Sequence, residues 1–266
     1  MKRSSLLFLF SFIVTTGFAQ KDSCTGFLRT DTEIKTLSVL WQQHAAEYRA
    51  LCYQAFNIAK LRIDQYQKDH RCKTNLAIIT DLDETILDNS YVLAKKIKEN
   101  KELIFPQDFT DWVKLVKATA VPGAVEFLQY AKSEGFSIFY ISNRLIIELD
   151  STLSNLKKLK LPDADTAHML FRNNTSSKES RRNAVEKNYK VVLLLGDNLN
   201  DFTEAFENKT IATRFIETDK AKTDWGNKFI VLPNSTYGEW EKILYSPEHK
   251  TVCQKNLKRL ELLIGY

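Results

Sequence analysis

The sequence Ile78-Ile79-Thr80-Asp81-Leu82-Asp83-Glu84-Thr85 decides the fold, because an apolar run ends there on two aspartates spaced two residues apart. A short apolar run of this kind is typical of a buried strand. In an open α/β sheet, ligands bind at the carboxyl ends of the strands, so Asp81 and Asp83 are candidates for an active site. The alternative is a strand that continues into an ordinary acidic turn, since turns favour aspartate.

The rest of the chain predicts further strands that alternate with helices. The predicted strands cover residues 75–80, 136–141, 169–171, 190–195, 211–215 and 229–232. The predicted helices cover about residues 30–66, 90–103, 110–117, 124–133, 145–159 and 177–188, followed by a helical C-terminus. This alternation is typical of a parallel sheet with helices on both faces. We therefore predict an α/β fold with a Rossmann-like parallel sheet and a helical cap or side domain.

The long segment between the first two predicted strands sets the domain organisation. About 55 residues separate them, far more than one crossover needs. The excess predicts a helical cap or side layer from about residues 28–70, 88–133 and 236–266, beside an α/β core of about residues 73–87 and 134–235. These segments form one predicted domain over residues 20–266. In the N-terminal helix, apolar residues from Leu37 to Tyr66 recur at steps of three and four, which predicts a face packed on the core.

Polar residues follow several of the predicted strands. The first strand ends in Asp81 and Asp83, the second in Ser142-Asn143-Arg144, and a later one in Gly196-Asp197, four residues before Asp201. Carboxylates that converge on one sheet edge repel each other and shift each other's pKa values. A divalent cation relieves that repulsion, and oxygen ligands without His or Cys favour Mg²⁺ over zinc.

In order along the chain, Asp81-Leu-Asp83-Glu-Thr85, Ser142, Lys178 and Gly196-Asp197…Asp201 resemble the four motifs of the haloacid dehalogenase superfamily. Two longer stretches, Asp81-Leu-Asp-Glu-Thr-Ile-Leu-Asp-Asn89 and Gly196-Asp-Asn-Leu-Asn-Asp-Phe202, are similar to the class C bacterial acid phosphatases. That group is the lipoprotein e family of exported 5′-nucleotidases. The flanks, Trp41-Gln-Gln-His-Ala-Ala-Glu-Tyr-Arg-Ala50 and Leu232-Pro-Asn-Ser-Thr-Tyr-Gly-Glu-Trp240, extend the resemblance over nearly all of residues 20–266.

The resemblance implies separate roles for the two aspartates. Asp81 would attack phosphorus and form an aspartyl-phosphate. Asp83 would protonate the leaving alcohol and then deprotonate the attacking water. Because superfamily members with other chemistry replace this second aspartate, Asp83 favours a phosphatase. An acidic optimum is expected, since Asp83 must be protonated while Asp81 stays ionised.

The remaining motif residues would bind metal and phosphate. Mg²⁺ would be held by the Asp81 carboxylate, the Asp83 main-chain carbonyl and Asp197. Asp201 is either a water-mediated ligand or a residue that fixes Lys178 or the metal waters. Lys178 would supply positive charge, and the Ser142 hydroxyl and the Asn143 backbone N–H would bind phosphate oxygens. Arg181 and Arg182, the competitors of Lys178, are expected to form a solvated helix face.

The substrate implied by the resemblance is a small phosphate ester such as a 5′-mononucleotide. In the family, aromatic side chains sandwich the base, and Trp112 and Tyr237 are the candidates here by their positions in the sequence. Ordinary core packing explains each of them equally well. A phosphotransferase that uses the same intermediate and a non-catalytic exported binding protein are the rival functions. A homodimer is left open.

The N-terminus resembles a secretory signal. Lys2 and Arg3 precede an apolar run over residues 6–14, and small residues suit cleavage before Gln20, so residues 1–19 are the predicted signal peptide. The run is too short for a stable membrane span, which needs about 20 residues. Export to the periplasm or the outer surface is predicted. A lipid anchor on Cys24 is the disfavoured alternative, because charged residues precede that cysteine.

Composition excludes further classes. Hydrophobic residues make up 44% and charged residues 27% of 266 residues, as in soluble globular proteins. Without the predicted signal the net charge is about +3, too small to favour a nucleic acid polymer. After cleavage the cysteines are Cys24, Cys52, Cys72 and Cys253, which allow two disulfides in an exported chain or free buried thiols.

Overall fold

The computed structural model describes residues 30–69 and 75–266. Within them, a five-stranded sheet has the order β5-β4-β1-β6-β7, and every neighbouring pair is parallel. These strands are β1 (Leu76–Thr80), β4 (Ser137–Ile141), β5 (Met169–Leu170), β6 (Lys190–Gly196) and β7 (Phe229–Val231). The predicted α/β fold with a parallel sheet is therefore confirmed.

Alternating side chains of the strands build two cores, one on each face of the sheet. Ile78 of β1 belongs to one apolar cluster and Ile79 to the other. Successive side chains of a strand point to opposite faces, so a continuous apolar run such as that of β1 must be covered on both. All five residues of β1 are buried, and β1 is the middle strand of the five, so the residues that follow it lie at the middle of one edge of the sheet.

Helices cover both faces. The first cluster includes residues of α2 (Ala46–Asp69), α5 (Ala124–Ser133) and α6 (Leu149–Lys158), and the second includes Val185 of α7 (Glu179–Glu186). The other helices are α1 (Thr36–His44), α3 (Ser90–Glu99), α4 (Gln107–Lys114), α8 (Ile211–Lys220), α9 (Glu239–Lys242) and α10 (Val252–Leu262).

The first part of the segment between β1 and β4 forms a side layer. It contains β2 (Leu87–Asp88) and β3 (Thr119–Ala120), which pair antiparallel, together with α3 and α4, and it leads into α5 on the face of the sheet. Helix α4 contacts the main body through the Thr110 hydroxyl, which donates to the buried Glu148 carboxylate at 2.6 Å. This contact holds α4 beside the loop that follows β4.

Two expectations about secondary structure are wrong. Residues 211–215 form the first half of helix α8, not a strand, because the Thr210 hydroxyl accepts from the Thr213 N–H and caps a helix. Phe215 and Ile216 are exposed, and β7 occupies the sheet edge beside β6. The predicted N-terminal helix is broken at Ala45, which is extended, and Leu37 is 80% exposed, outside the packed face that its spacing predicts.

The cysteines differ in state. The Cys52 thiol is free and fully buried, and its burial raises its pKa to about 11. Cys253 is disulfide-bonded, whereas Cys24 and Cys72 lie outside the described residues, as does the predicted signal peptide. With Cys52 free, two disulfides within this chain are excluded. Among the described residues, no helix combines the length and apolar character that a membrane crossing requires.

Candidate active site

The ends of three adjacent strands bring the predicted residues to one edge of the sheet. Asp81 follows β1, Ser142 follows β4 and Asp197 follows β6, and β1 lies between the other two strands. The Asp81 N–H donates to the Leu195 carbonyl at 2.9 Å, so β6 fixes the backbone on which the aspartate is carried. The topology alone therefore places these side chains together.

A buried lysine joins two of the aspartates. The Lys178 ammonium donates to Asp81 Oδ1 and, at 2.7 Å, to Asp201 Oδ1, and all three side chains are buried. Burial opposes the charge of Lys178, but the carboxylates of Asp201 and Asp81 outweigh it and raise the pKa of the lysine. Lys178 is therefore a fixed positive charge directly beside Asp81.

The Asp81, Asp197 and Asp201 carboxylates form a compact cluster. Each offers one oxygen, and these oxygens lie within 4.8 Å of one another. Burial raises the pKa of Asp81 to about 7 against the opposing charge of Lys178, with Asp201 and Asp83 adding to the rise. Without a cation, Asp81 therefore does not stay ionised at the acidic pH expected from the sequence. Burial and the charges of Asp201 and Asp81 also raise the pKa of Asp197. The cluster thus concentrates negative charge that a cation would neutralise.

Neutral donors orient Asp197 within the cluster. The Asn234 amide donates to Asp197 Oδ2 at 2.7 Å, and the Thr85 hydroxyl donates to Asp197 Oδ1 at 3.2 Å. Asp201 Oδ2 accepts from the Asn198 N–H at 3.0 Å and closes the turn after β6. The two side-chain oxygens of Asp201 therefore have different partners: Oδ2 contacts the turn, and Oδ1 contacts Lys178.

The Asp83 carboxylate lies outside this cluster. It accepts hydrogen bonds from Arg144 and Asn89, residues to which sequence reasoning gave no such role. Arg144 is the third residue after β4, in the sequence Ser142-Asn143-Arg144, and this position is the signal that could have identified it. Asp81 and Asp83 thus have separate surroundings, the first beside the carboxylate cluster and the second beside a guanidinium.

The expectation that Arg181 and Arg182 form a solvated face is wrong, since both are buried. The Arg181 guanidinium donates to the Ser142 carbonyl at 2.6 Å and to Asn143 Oδ1 at 2.7 Å. Arg182 donates to the Asp201 carbonyl at 2.9 Å. Both side chains turn inward because the loops at this sheet edge expose carbonyl groups that need donors. They support the residues that line the site.

Glu84 is a buried carboxylate in the turn after β1, directly following Asp83. Its backbone is left-handed, with φ of 60°, and its Oε1 accepts from the Asn89 N–H at 2.9 Å. Burial and the charges of Asp83 and Asp197 raise its pKa well above the usual range. The Tyr237 hydroxyl donates to the other Glu84 oxygen. Glu84 therefore connects the turn after β1 to the segment after β7.

The two predicted aromatic residues contact this turn region by their polar ends. Tyr237 bonds to Glu84, and the Trp112 indole N–H donates to Asn89 Oδ1 at 2.8 Å. The Trp112 ring also stacks on Tyr91, with centroids 5.6 Å apart and 19° between the ring planes. Tyr91 is 44% exposed, and the sequence did not identify it as a candidate. An aromatic surface that includes an exposed ring therefore lies beside the site.

Known proteins share this fold. Residues 28–240 match the family described as HAD superfamily, subfamily IIIB (acid phosphatase). The class C acid phosphatase from Bacillus anthracis, solved with tungstate bound, is similar to this chain with a TM-score of 0.83 and 37% sequence identity. That match covers 88% of this chain and 98% of the Bacillus protein. A second structure of the same Bacillus enzyme gives the same values.

Proposed function

The chain belongs to subfamily IIIB of the HAD superfamily, the acid phosphatases, and we propose that it is a Mg²⁺-dependent enzyme that works through phosphorylated Asp81. As a phosphoric monoester hydrolase, it acts on small phosphate esters. The observation that carries the mechanism is the contact of the buried Lys178 ammonium with Asp81, at the edge of the carboxylate cluster. A carboxylate beside a fixed positive charge can approach a phosphate anion without prohibitive repulsion.

The donor set fits a divalent cation. The three clustered oxygens of Asp81, Asp197 and Asp201 are hard ligands, and no His or Cys belongs to this cluster, which favours Mg²⁺. A cation bound here supplies positive charge to the transferring phosphoryl group. Tungstate, which is bound to the similar Bacillus phosphatase, is a tetrahedral oxyanion like phosphate, and its binding to that protein supports the proposal that this chain binds a phosphate group.

In the first step, a carboxylate oxygen of Asp81 attacks phosphorus. The bond from phosphorus to the ester oxygen breaks as the new bond forms, and Asp83 gives its proton to the leaving alcohol. The Ser142 hydroxyl, the Asn143 backbone N–H and the Lys178 ammonium bind the phosphate oxygens. The Arg181 guanidinium holds Ser142 and Asn143 by donating hydrogen bonds to the Ser142 carbonyl and to Asn143 Oδ1.

In the second step, water attacks phosphorus and the bond to Asp81 breaks. The Asp83 carboxylate, ionised after the first step, takes the proton from that water. Inorganic phosphate leaves, and Asp81 and Asp83 return to their starting protonation states. One aspartate thus carries the phosphoryl group and the other carries the proton in both directions.

Nucleoside 5′-monophosphates are the proposed substrate class. The stacked pair Tyr91 and Trp112, together with Tyr237, which bonds to Glu84, supplies aromatic rings beside the site. Base stacking on aromatic side chains tolerates different bases, because every base has a π face. This surface supports a preference for alcohols that carry an aromatic base over glycerol.

Export is also proposed. The sequence of residues 1–19 resembles a secretory signal. The disulfide bond of Cys253 supports an oxidising compartment, where such bonds persist.

One experiment tests the proposed function. The protein without its first 19 residues is incubated with several 5′-mononucleotides, with Mg²⁺ or with EDTA, beside an Asp81→Asn variant. Phosphate release is expected only from the wild-type protein with Mg²⁺. Phosphate release in the presence of EDTA, or by the Asp81→Asn variant, would contradict the mechanism. Added glycerol distinguishes hydrolysis from phosphoryl transfer, because transfer yields glycerol phosphate.

A further inference from the structure

The two oxygens of the Asp83 carboxylate have unequal surroundings. Oδ1 accepts from Arg144 Nη2 at 2.7 Å, from Arg144 Nε at 3.1 Å and from Asn89 Nδ2 at 2.8 Å. Oδ2 has only longer contacts, at 3.3 Å from both Arg144 Nε and the Ser142 hydroxyl. An oxygen that accepts three short hydrogen bonds has no room for a proton of its own. The geometry therefore leaves Oδ2 as the oxygen that can carry the transferable proton.

Arg144 is itself held rigidly. Its side chain is 2% exposed, and its Nη1 donates to the Thr152 hydroxyl at 2.8 Å. Its guanidinium also lies over the Phe109 ring of helix α4, 5.7 Å from the ring centroid. A planar guanidinium fixed at three sides presents Nε and Nη2 to Asp83 in one geometry. Asp83 therefore cannot rotate without losing a two-point contact.

The orientation of the Asn89 amide is fixed by Trp112. The indole N–H can only donate, so the Asn89 atom that it contacts at 2.8 Å is the carbonyl oxygen Oδ1. The Asn89 NH₂ group must then point the other way, where it donates to Asp83. Trp112, like Phe109, belongs to helix α4. One helix of the side layer thus contacts both donors that hold Asp83.

We propose that Arg144 and Asn89 are positioning residues that aim Asp83 Oδ2 at the leaving oxygen, and that α4 sets their geometry through Phe109 and Trp112. The proposal rests on the proposed function, in which Asp83 gives its proton to the alcohol as the bond to phosphorus breaks. A misaimed Asp83 slows that transfer but leaves the attack by Asp81 intact. Loss of these contacts should therefore matter only for alcohols that need a proton to leave.

The test compares kcat/KM for two esters. Nitrophenolate leaves p-nitrophenyl phosphate without a proton, whereas the alkoxide of glycerol 2-phosphate needs one. Because kcat/KM reports the steps up to departure of the alcohol, the later role of Asp83 with water does not affect it. In Asp83→Asn, the ratio of kcat/KM for the nitrophenyl ester to that for the glycerol ester should rise about 100-fold. This variant defines the full effect.

Arg144→Met should raise the same ratio about tenfold, and Trp112→Phe, which keeps the ring but loses the N–H donor, should raise it about threefold. Arg144→Lys keeps the charge without the two-point contact, so its ratio should lie between those of Arg144→Met and the wild type. In the double variant with Asp83→Asn, Arg144→Met should produce no further rise, because the group that it positions is gone.

Arg214→Met is the matched control. Arg214 is also a buried arginine that lies over a phenylalanine, with its guanidinium 5.9 Å from the Phe206 ring centroid, and it donates to Asn200 and to the Phe206 carbonyl. Neither of those partners is Asp83. Its substitution should lower thermal stability and leave the ratio at the wild-type value.

Each of the following results overturns the inference. An equal loss on both esters in Arg144→Met and in Trp112→Phe would make these residues merely structural, and unchanged kinetics in both would give them no role. If Asp83→Asn itself shows no selective loss on the glycerol ester, Asp83 is not the acid, and the inference about its positioning residues fails as well. A selective loss in Asp83→Asn alone overturns the inference and leaves the proposed function standing.

Discussion

The backbone of Gly196 lies directly against Asp201: a Cβ at residue 196 would meet both the Cβ and the Oδ2 of Asp201 at 2.5 Å. Real Cβ atoms do not approach other atoms so closely, so any side chain at 196 must displace Asp201. Asp201 holds Lys178 and belongs to the carboxylate cluster. The glycine before Asp197 is therefore needed for space at the site.

Gly196→Ala should consequently remove most activity, with kcat/KM down by about 100-fold, since a small misplacement of catalytic groups is costly. Steady-state kinetics on p-nitrophenyl phosphate measures this. Gly135→Ala is the comparison, because a Cβ at Gly135, in a left-handed turn far from Asp201 in sequence, would contact nothing within 4 Å. It should lose some stability from its positive φ and keep its activity. Normal activity in Gly196→Ala would contradict the packing argument.

Lys178→Met should lower kcat/KM by about 100-fold or more, because it removes the positive charge that faces the phosphate in the transition state. It also leaves the Asp81 and Asp201 carboxylates to repel each other. Lys187→Met, at the exposed end of the same helix, should behave as the wild type in the same assay. Comparable activity of the two variants would remove Lys178 from the mechanism.

Stability without a cation should depend on pH in a defined direction. Burial raises the pKa of Asp81 to about 7 in the folded protein, and that of Asp197 is also raised. The folded state therefore binds protons that the unfolded state releases, so the contribution of these two groups to stability is complete below the unfolded pKa of about 4 and is lost as pH rises through about 7. Thermal unfolding in EDTA at pH 5 and pH 8 measures this fall.

Saturating Mg²⁺ should remove most of that pH dependence and raise Tm at pH 8, because a bound ion stabilises the ionised carboxylates. In Asp197→Asn the response of Tm to Mg²⁺ should be much smaller. A Tm at pH 8 that is the same in Mg²⁺ and in EDTA would argue against a cation at this cluster.

Tyr237→Phe should destabilise the fold by about 1–3 kcal/mol, because it removes the donor to a buried Glu84 oxygen. Urea unfolding at neutral pH gives the value. Tyr91→Phe is the control, since the exposed Tyr91 hydroxyl lies 3.5 Å from the Thr119 hydroxyl and its loss should cost little. Equal stability of the two variants would mean that the contact with Glu84 contributes nothing net.

The sequence predicted the parts of the fold that local patterns control. The apolar runs before Asp81, Ser142 and Asp197 mark three strands, and their alternation with helices predicts a parallel sheet. The run at residues 211–215 misled, because composition cannot show that β7 already occupies the sheet edge beside β6. The Thr210 cap and the occupied sheet edge together decided that segment.

The supporting residues of the site could not be predicted in the same way. Arg181 lies on a polar helix, and only the folded loops show that the carbonyl of Ser142 needs its guanidinium. The contacts of Asn89 with Trp112 and Asp83 join the turn after β1, the start of α3 and helix α4. Such contacts depend on how the side layer packs against the sheet, which no local motif records.

The most direct test of the central claim is to trap the phosphorylated enzyme. The wild-type protein is mixed with p-nitrophenyl phosphate and Mg²⁺, quenched in acid within the first turnover and digested for mass spectrometry. We predict a hydroxylamine-labile phosphate on the peptide that contains Asp81, and none in Asp81→Asn. Rapid turnover with no adduct at any quench time, together with phosphate release by Asp81→Asn, would contradict the account.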